Sequence, residues 1–291
     1  MGLFRKEKPL KEYTNYVFDL YGTLIDMSTD EHSSKLWKLM ASFYNVYGCD
    51  WSPKKLKKTF WKLDASERKK LSKEKGFTYP EIKLERVFAR LLLECEESHP
   101  TDIKINDYEI DLLRKGYASN KNETIDMVSS SDWAVAVSNL FRVASTNYMR
   151  PYPNTIIALR TLKERGKNVY LLSNAQKIFT MPEIEQSGIE RFFDRMYISS
   201  DYEMMKPQKE FLELLIEQEG LDPASTVMVG NEILSDVKIA LNCGIDSILL
   251  NNYHESERDL KRKIRELMKN EKAPKSLYPH IIHSGDIGEI V

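Results

Sequence analysis

Short apolar runs alternate with amphipathic stretches through the second half of the chain. The apolar runs are rich in Val, Ile, Leu and Tyr, and they predict buried strands at 168–172, 196–198, 226–229 and 247–250. Around them, apolar residues recur at helical spacing and the patterns end near a glycine, which predicts helices at 155–165, 210–218 and 235–242. The pattern also predicts a first strand at 16–18 and an edge strand at 280–283. Strands that alternate with helices of this length favour βαβ units and a mainly parallel sheet.

The stretch between the first strand and the others has a different pattern. From 29 to 150, long amphipathic patterns predominate, β-branched runs are few, and Trp and Tyr recur at helical spacing. We therefore predict an α/β fold: a Rossmann-like, doubly wound and mainly parallel sheet core with an inserted α-helical cap domain. The core is discontinuous and comprises residues 1–28 and 151–291, and the cap comprises residues 29–150.

A basic tract inside the predicted cap raises the question of nucleic-acid binding. Residues 52–75 contain ten Lys and Arg against three acidic residues. Leu56, Phe60 and Leu63 share one face of the predicted helix, so we expect them to point inward and the lysines to form the solvated face. Over the whole chain, 43 basic residues nearly cancel 44 acidic ones. No global field therefore favours nucleic acid as a partner.

Neither membrane insertion nor secretion is expected from the sequence. No apolar run approaches the roughly 18 residues that a membrane helix needs, and the basic segment 1–11 lacks the apolar stretch of a secretory signal. The cysteines, Cys49, Cys95 and Cys243, are scattered and lack the spacing of metal ligands. We expect a cytoplasmic protein whose cysteines are reduced, small apolar residues.

Candidate chemistry begins at Asp19, where the first predicted strand ends. The apolar run 16–18 delivers this carboxylate to the carboxyl edge of the sheet, where open α/β folds bind ligands. Gly22-Thr23-Leu24 follows almost at once. The pattern Asp-x-x-Gly-Thr-Leu resembles the motif with which the haloacid dehalogenase superfamily presents its nucleophilic aspartate. The resemblance implies that Asp19 is the nucleophile of a hydrolase.

Three further segments resemble the remaining motifs of this superfamily, in the same order. Ser173 ends the next predicted strand, Lys206 precedes a proline, and Gly230 begins a segment that leads to Asp236. The resemblance implies that Ser173 and Lys206 are catalytic together with Asp19, because the lysine neutralises charge on the aspartate and on the transferring group. It also implies a set of phosphoryl-binding residues, which comprises Gly22, Thr23, Ser173, Asn174 and Lys206.

The last motif also implies a metal site. In phosphatases of this superfamily it carries two aspartates that help to hold magnesium; here Asn231 stands at the first position and Asp236 keeps the second. Mg²⁺ takes oxygen ligands and tolerates several waters in its octahedral shell. The resemblance therefore implies a Mg²⁺ site of reduced charge, with Asp19, the backbone carbonyl of Tyr21, Asn231, Glu232 and Asp236 as candidate ligands.

Tyr21 is the departure that divides the possible functions. Most phosphatases of the superfamily carry a second aspartate at this position, and it protonates the leaving oxygen. Asp-x-Tyr-Gly-Thr-Leu is instead the pattern of the 2-haloacid dehalogenases, which need neither that acid nor a metal. Other features differ from the dehalogenases. Dehalogenases carry an arginine early in the cap, whereas this chain has none between Asp26 and Glu67. Their tyrosine after the lysine motif is absent as well, since 207–214 contains none.

The sequence thus favours a Mg²⁺-dependent phosphatase that acts on a small phosphorylated metabolite through an aspartyl-phosphate on Asp19. With Tyr21 in place of the acid, we expect slow turnover and a preference for good leaving groups. Two alternatives stay open: a metal-independent 2-haloacid dehalogenase, and a catalytically impaired binding protein on the same fold. No glycine-rich dinucleotide or Walker-type loop is present, which excludes the corresponding nucleotide-binding classes as far as sequence allows.

Overall fold

A computed structural model describes residues 10–95 and 107–291 of the chain. Residues 1–9 and 96–106 lie outside the described ranges, so the expectation about the basic N-terminal segment falls almost entirely outside them. No helix in the described ranges is long and apolar enough to cross a membrane.

A six-stranded parallel sheet forms the centre of the molecule. In sheet order its strands are β5, β4, β1, β6, β7 and β8, so the first strand of the chain lies in the middle. Their bounds are β1 Asn15–Phe18, β4 Asn168–Ser173, β5 Arg195–Ile198, β6 Thr226–Gly230, β7 Asp246–Leu250 and β8 His280–Ile282. The predicted mainly parallel α/β sheet is confirmed, and its strands lie within a residue or two of the predicted positions.

Helices cover both faces of this sheet. They are α7 Thr155–Glu164, α8 Lys177–Ser187, α9 Ser199–Tyr202, α10 Lys209–Gln218, α11 Lys238–Cys243 and α12 Glu257–Asn270. Successive residues of a strand point to opposite faces. Phe18 of β1 accordingly packs with Leu159 of α7 on one side, while Val17 packs with Phe211 of α10 on the other. Burial on both faces explains why the sequence shows continuous apolar runs instead of alternation.

A group of helices lies in the chain between the first strand and the rest of the sheet. They are α1 Ser34–Val46, α2 Pro53–Lys75, α3 Leu84–Leu93, α4 Asp107–Ser119, α5 Lys121–Ser129 and α6 Asp132–Ser145. These helices enclose an apolar cluster of their own, with Trp37, Phe60 and Phe141 among its buried members. Phe179 of α8 belongs to the same cluster and stacks on Phe141, which joins the helical segment to the core. On α2, the apolar face predicted for the basic tract is buried, as expected.

A small antiparallel ribbon at the base of the helical segment was not predicted. It pairs β2 Ile25–Thr29 with β3 Thr146–Pro151, and the ion pair between Asp26 and Arg150 spans it at 2.9 Å. Both strands carry mixed polar and apolar residues without strict alternation, so no local pattern indicated them. The ribbon links the two ends of the helical segment because it pairs the chain entering that segment with the chain leaving it.

The expectation of reduced cysteines is wrong for two of the three. Cys49, after α1, and Cys95, after α3, form a disulfide with Cα atoms 5.4 Å apart. Cys49 is fully buried, and Cys243 is the free cysteine among the described residues. The two partners are 46 residues apart in sequence and meet only because α1 and α3 belong to one packed bundle.

Candidate active site

Three neighbouring strand ends bring the predicted residues to one edge of the sheet. Asp19 follows β1, Ser173 ends β4, and Asn231 follows β6. Since β4 and β6 flank β1 in the sheet, these positions lie side by side at the carboxyl edge. The backbone N–H of Asp19 continues the ladder by donating to the carbonyl of Val229 at 2.9 Å. The candidate nucleophile is therefore anchored by its backbone between two neighbouring strands.

Lys206 joins two of the predicted carboxylates. Its Nζ lies 2.7 Å from Asp19 Oδ1 and 2.7 Å from Asp236 Oδ1. The lysine is 1% exposed, Asp236 2% and Asp19 8%, so the three charges form a buried cluster with one net negative charge. A buried lysine is stable in its charged form only when it is paired in this way.

The protonation of this cluster follows from its burial. Desolvation raises the pKa of Asp19 to about 6, although the charge of Lys206 opposes the rise. For Lys206 burial lowers the pKa, but the charges of Asp19 and Asp236 outweigh it and the pKa lies above its usual value. The cluster therefore holds a protonated lysine next to a carboxylate that is ionised above mildly acidic pH.

Thr23 and Asn231 complete the surroundings of Asp19. The Thr23 hydroxyl lies 3.1 Å from Asp19 Oδ2 and 3.1 Å from Asn231 Oδ1, and it is fully buried. Gly22 has a φ of 83° and passes so close to Asn231 that a Cβ at this position would collide with its amide. Only glycine therefore permits the turn and the close approach together.

Asp236 is held by the turn in which it lies. Its Oδ2 accepts hydrogen bonds from the backbone N–H groups of Asn231 and Glu232, both at 3.0 Å, which leaves Oδ1 to accept from Lys206. This turn is a π-helical segment, Ile233–Val237, and it precedes α11, where the sequence pattern predicted one continuous helix from 235. Gly230 has no side chain in the space that the Asp236 carboxylate occupies. The wider turn thus aims a carboxylate at the end of β1.

Ser173 and Asn174 have different surroundings although they are adjacent. Asn174 uses both atoms of its amide on the backbone of Lys206: Oδ1 accepts from the N–H at 2.6 Å, and Nδ2 donates to the carbonyl at 2.9 Å. It therefore positions the lysine. The Ser173 hydroxyl is buried, and neither it nor Asn231 Nδ2 has a hydrogen-bond partner among the described residues. Unpartnered buried polar atoms are costly, so these two groups are available to a ligand.

The cluster also contains oxygen atoms of the kind that Mg²⁺ takes. Asp19 Oδ2 and Asn231 Oδ1 converge on the Thr23 hydroxyl, and Asp236 approaches from the other side of Lys206. Such a donor set fits a divalent cation that keeps several waters. Glu232 stays a candidate ligand: its exposed side chain makes no hydrogen bond or ion pair in the described ranges, but the charges of Asp236 and Lys206 act on its carboxylate. Among the described residues, no three acidic, His or Cys side chains are arranged so that they alone could hold a metal ion.

Tyr21 lies in a cluster that the sequence did not indicate. Its hydroxyl donates to Glu183 of α8 and lies 3.1 Å from the Thr180 hydroxyl. Arg142 of α6 binds the same carboxylate, at 2.5 Å through Nε, and its guanidinium lies 5.2 Å from the centre of the Tyr21 ring. Burial, reinforced by the charge of Glu183, raises the pKa of Tyr21, so the phenol stays neutral. Neither Glu183 nor its helix carries a recognisable motif, and only the packing of α6 on α8 reveals this cluster.

Sequence comparisons agree with the motif assignment. A family model described as "Haloacid dehalogenase-like hydrolase" matches residues 84–250, more than half of the chain. Among curated relatives, the chain is similar to a glyceraldehyde 3-phosphate phosphatase of Methanothermobacter thermautotrophicus, with 35% identity over 112 residues, 38% of this chain and 50% of that protein. It is also similar to a phosphoglycolate phosphatase of Agrobacterium fabrum, with 29% identity over 37% of this chain and 46% of the relative. The chain thus spans about half the length of the curated relatives it matches.

Solved structures with similar backbones include dehalogenases. The L-2-haloacid dehalogenase of Xanthobacter autotrophicus superposes with a TM-score of 0.46 and 17% identity, covering 96% of each chain. A haloacid dehalogenase-like hydrolase of Bacteroides fragilis superposes with a TM-score of 0.48 and 16% identity, covering 96% of this chain and 100% of the other.

Proposed function

Because the chain belongs to the haloacid dehalogenase-like hydrolases, we propose that it is a Mg²⁺-dependent phosphatase that acts on a small phosphorylated metabolite through an aspartyl-phosphate on Asp19. One observation carries the proposal: Lys206 bridges Asp19 and Asp236 at 2.7 Å each in a buried cluster at the carboxyl edge of the sheet. A carboxylate nucleophile beside a fixed cation is what in-line phosphoryl transfer needs. The phosphatase relatives support the choice of phosphorus as the atom attacked.

The reaction proceeds in two displacements at phosphorus. A carboxylate oxygen of Asp19 attacks, an O–P bond forms, and the P–O bond of the substrate breaks with its electron pair leaving on the alcohol oxygen. The departed alkoxide takes a proton from solvent. Water then attacks the same phosphorus and gives up a proton to solvent, the Asp19 carboxylate leaves with the bonding pair, and inorganic phosphate is released. The backbone bond from Asp19 to Val229 keeps the carboxylate in place through both steps.

The groups around Asp19 share the charge that develops on the phosphoryl oxygens. Ser173 Oγ and Asn231 Nδ2 are donors without partners among the described residues, and both become satisfied if a phosphoryl group sits over Asp19. Lys206 contributes a fixed positive charge. A Mg²⁺ ion held by oxygen atoms of Asp19, Asn231 and Asp236 would add further charge neutralisation when bound.

Magnesium dependence is the first experimental test of this function. The purified protein is expected to hydrolyse p-nitrophenyl phosphate with added Mg²⁺, to lose this activity with excess EDTA, and to regain it when Mg²⁺ is restored. Phosphate release is measured by a colorimetric assay. Turnover that chelation leaves unchanged would contradict the metal requirement.

Failure to release phosphate from any aryl or acyl phosphate would contradict the phosphatase itself. Tyr21 then favours the 2-haloacid dehalogenase, and halide release from 2-chloropropionate in the presence of chelator would establish it. The position of Arg142 disfavours dehalogenase activity, because this arginine is paired with Glu183 and is not free to hold a halide or a substrate carboxylate. Absence of both activities would leave a binding protein on this fold.

The missing acid at Tyr21 leads to a gain-of-function prediction. The Tyr21 hydroxyl is bonded to Glu183, and its raised pKa makes it a poor proton donor, so an alkoxide leaving group receives no proton from it. Tyr21→Asp places a carboxylic acid two residues after the nucleophile. We expect it to raise kcat on an alkyl phosphate such as glycerol phosphate by about 10²-fold, the usual scale of general acid catalysis.

Tyr21→Phe is the matched control for this variant. It removes the bond to Glu183 but supplies no acid, so kcat on the alkyl phosphate should not rise. With p-nitrophenyl phosphate, whose leaving group needs no proton, the Asp variant should show little gain. An equal gain in the Phe and Asp variants would attribute the effect to release of the Glu183 contact and refute the missing-acid explanation.

A further inference from the structure

A cleft between the core and the helical segment would receive the leaving group of any substrate bound at Asp19. It has a volume of about 320 Å³ and is bordered by Tyr21 and Asn174, the near neighbours of Asp19 and Ser173 in the chain. This volume matches a small ligand. The charges and ring faces of the cleft therefore indicate the chemistry of the substrate beyond its phosphoryl group.

Both arginines of the cleft are already paired. Arg68 binds Asp64 at 3.1 Å and Glu81 at 2.8 Å, and Glu81 is only 5% exposed. Arg142 binds both carboxylate oxygens of Glu183, at 2.5 and 2.9 Å. A substrate carboxylate could recruit either arginine only by breaking one of these partly buried pairs, which would leave an uncompensated carboxylate behind.

Glu31 lies on the same cleft without a direct partner. Its carboxylate makes no hydrogen bond or ion pair within residues 10–95 and 107–291; burial raises its pKa, and the nearby charges of Arg142 and His32 oppose the rise. Counting the side chains that line the cleft, three carboxylates (Glu31, Asp64 and Glu81) face two guanidinium groups. The side chains that line the cleft therefore carry an excess of negative charge, and the Glu31 carboxylate has no directly bonded cation.

The apolar part of the lining is aromatic. Phe60, Trp61 and Phe179 border the cleft, but Phe60 is 1% exposed and Phe179 already carries the Arg142 guanidinium 5.4 Å from its ring centre. Trp61 is the more exposed ring, and its indole Nε1 is buried without a hydrogen-bond partner among the described residues. Aromatic faces attract ammonium groups, and the attraction is strongest where water is excluded. The free indole N–H offers a hydrogen bond to an oxygen of the ligand.

We propose that the substrate is a phosphorylated amino alcohol, in which the phosphoryl group meets Asp19 and the ammonium group meets Glu31 and the Trp61 ring. This inference rests on the proposed phosphatase function and adds the substrate class. It also excludes phosphorylated carboxylic acids as good substrates, because a second carboxylate would enter a cleft with excess negative charge and no free arginine.

The test compares three phosphate esters of similar size that differ in charge at the far end. O-Phosphoethanolamine carries an ammonium group, glycerol 3-phosphate is neutral there, and 2-phosphoglycolate carries a carboxylate. We expect kcat/KM to fall in that order, with at least about tenfold between the first and the last, in line with a cation–aromatic contact and one charge pair. p-Nitrophenyl phosphate measured alongside reports whether the protein is a phosphatase at all.

The variant Glu31→Gln tests whether the preference for the ammonium-bearing ester comes from Glu31. It should lower the ratio of kcat/KM for phosphoethanolamine over glycerol phosphate by about tenfold, mainly through KM, because it removes the charge and keeps the shape. Glu74→Gln is the matched control, since Glu74 lies on α2 with its side chain 56% exposed and forms an ion pair with the exposed Lys70. It should leave all four substrates unchanged.

Each outcome decides one of the two proposals. Hydrolysis of p-nitrophenyl phosphate with 2-phosphoglycolate as the best of the three esters, or an unchanged ratio in Glu31→Gln, overturns the substrate class and leaves the phosphatase standing. No hydrolysis of any ester overturns the phosphatase. Calorimetric titration of the wild-type protein with the same three compounds then tests the cleft alone, and binding of phosphoethanolamine no tighter than phosphoglycolate refutes the inference.

Discussion

Asp19→Asn is expected to lower phosphate release by at least about 10³-fold, since the amide cannot attack phosphorus and loss of a covalent nucleophile has effects of this size or larger. The fold should survive. In the wild type, Lys206 Nζ donates to Asp19 Oδ1 at 2.7 Å, and the amide oxygen of Asn can accept the same hydrogen bond. The Thr23 hydroxyl can accept a hydrogen bond from the amide nitrogen of Asn. The variant also removes a buried carboxylate whose pKa is raised to about 6, so thermal stability should not fall much.

Asp26→Asn is the matched control for this prediction. It is the same substitution seven residues away, at a carboxylate that pairs with the exposed Arg150 across the ribbon instead of facing the cluster. It should keep nearly full activity, because exposed pairs contribute little. Steady-state kinetics and thermal unfolding of both variants provide the measurement. An Asp19→Asn protein that is folded and retains a tenth of the wild-type rate would rule out Asp19 as the nucleophile.

Lys206→Met is expected to reduce both stability and activity. It removes the ammonium that lies 2.7 Å from Asp19 and from Asp236, and leaves two buried carboxylates facing each other. Breaking a buried pair in this way typically lowers the free energy of unfolding by about 3–5 kcal/mol. For a chain of this size we expect the melting temperature to fall by on the order of 10 °C.

The pH dependence of this loss distinguishes charge repulsion from simple loss of packing. Burial already raises the pKa of Asp19, and removing Lys206 removes the charge that opposes the rise. The folded variant then binds a proton more readily than the unfolded chain, so its deficit should be small at acidic pH and grow as the pH rises through the pKa of Asp19. A pH-independent deficit would contradict this explanation.

Two further variants control the experiment. Lys209 lies three residues away, is half exposed and forms an ion pair with Glu213, so Lys209→Met should change the melting temperature little. Adding Asp236→Asn to Lys206→Met removes one of the two facing charges and should restore part of the lost stability. Chemical denaturation at several pH values measures all three proteins.

The predictable part of the candidate site lies at the ends of strands. Apolar runs locate β1, β4 and β6, and the residue after each run must reach the carboxyl edge because the strands are parallel. The local pattern therefore predicts that Asp19, Ser173 and Asn231 reach this edge, and the strand order β4-β1-β6 in the structure sets them side by side. Lys206 lies after α9, outside any strand, and only its resemblance to a known motif indicated that it would join them.

The helical segment was predictable in character but not in detail. Periodicity predicted amphipathic helices with the apolar face of α2 turned inward, and Leu56, Phe60 and Leu63 are buried. The disulfide between Cys49 and Cys95 and the ribbon of β2 and β3 were missed. Each depends on two segments that are far apart in sequence and that packing brings together, so neither leaves a local pattern.

By itself the sequence determined the parallel sheet, the helical insertion and the positions of the candidate catalytic side chains along the chain, because strand and helix periods are local properties. The tertiary structure decided how those side chains are paired. Arg142 and Glu183 come from two helices that only meet on packing, and their ion pair holds the Tyr21 hydroxyl and leaves the cleft without a free arginine. Such contacts depend on angles and distances between separate elements, and no pattern within either element encodes them.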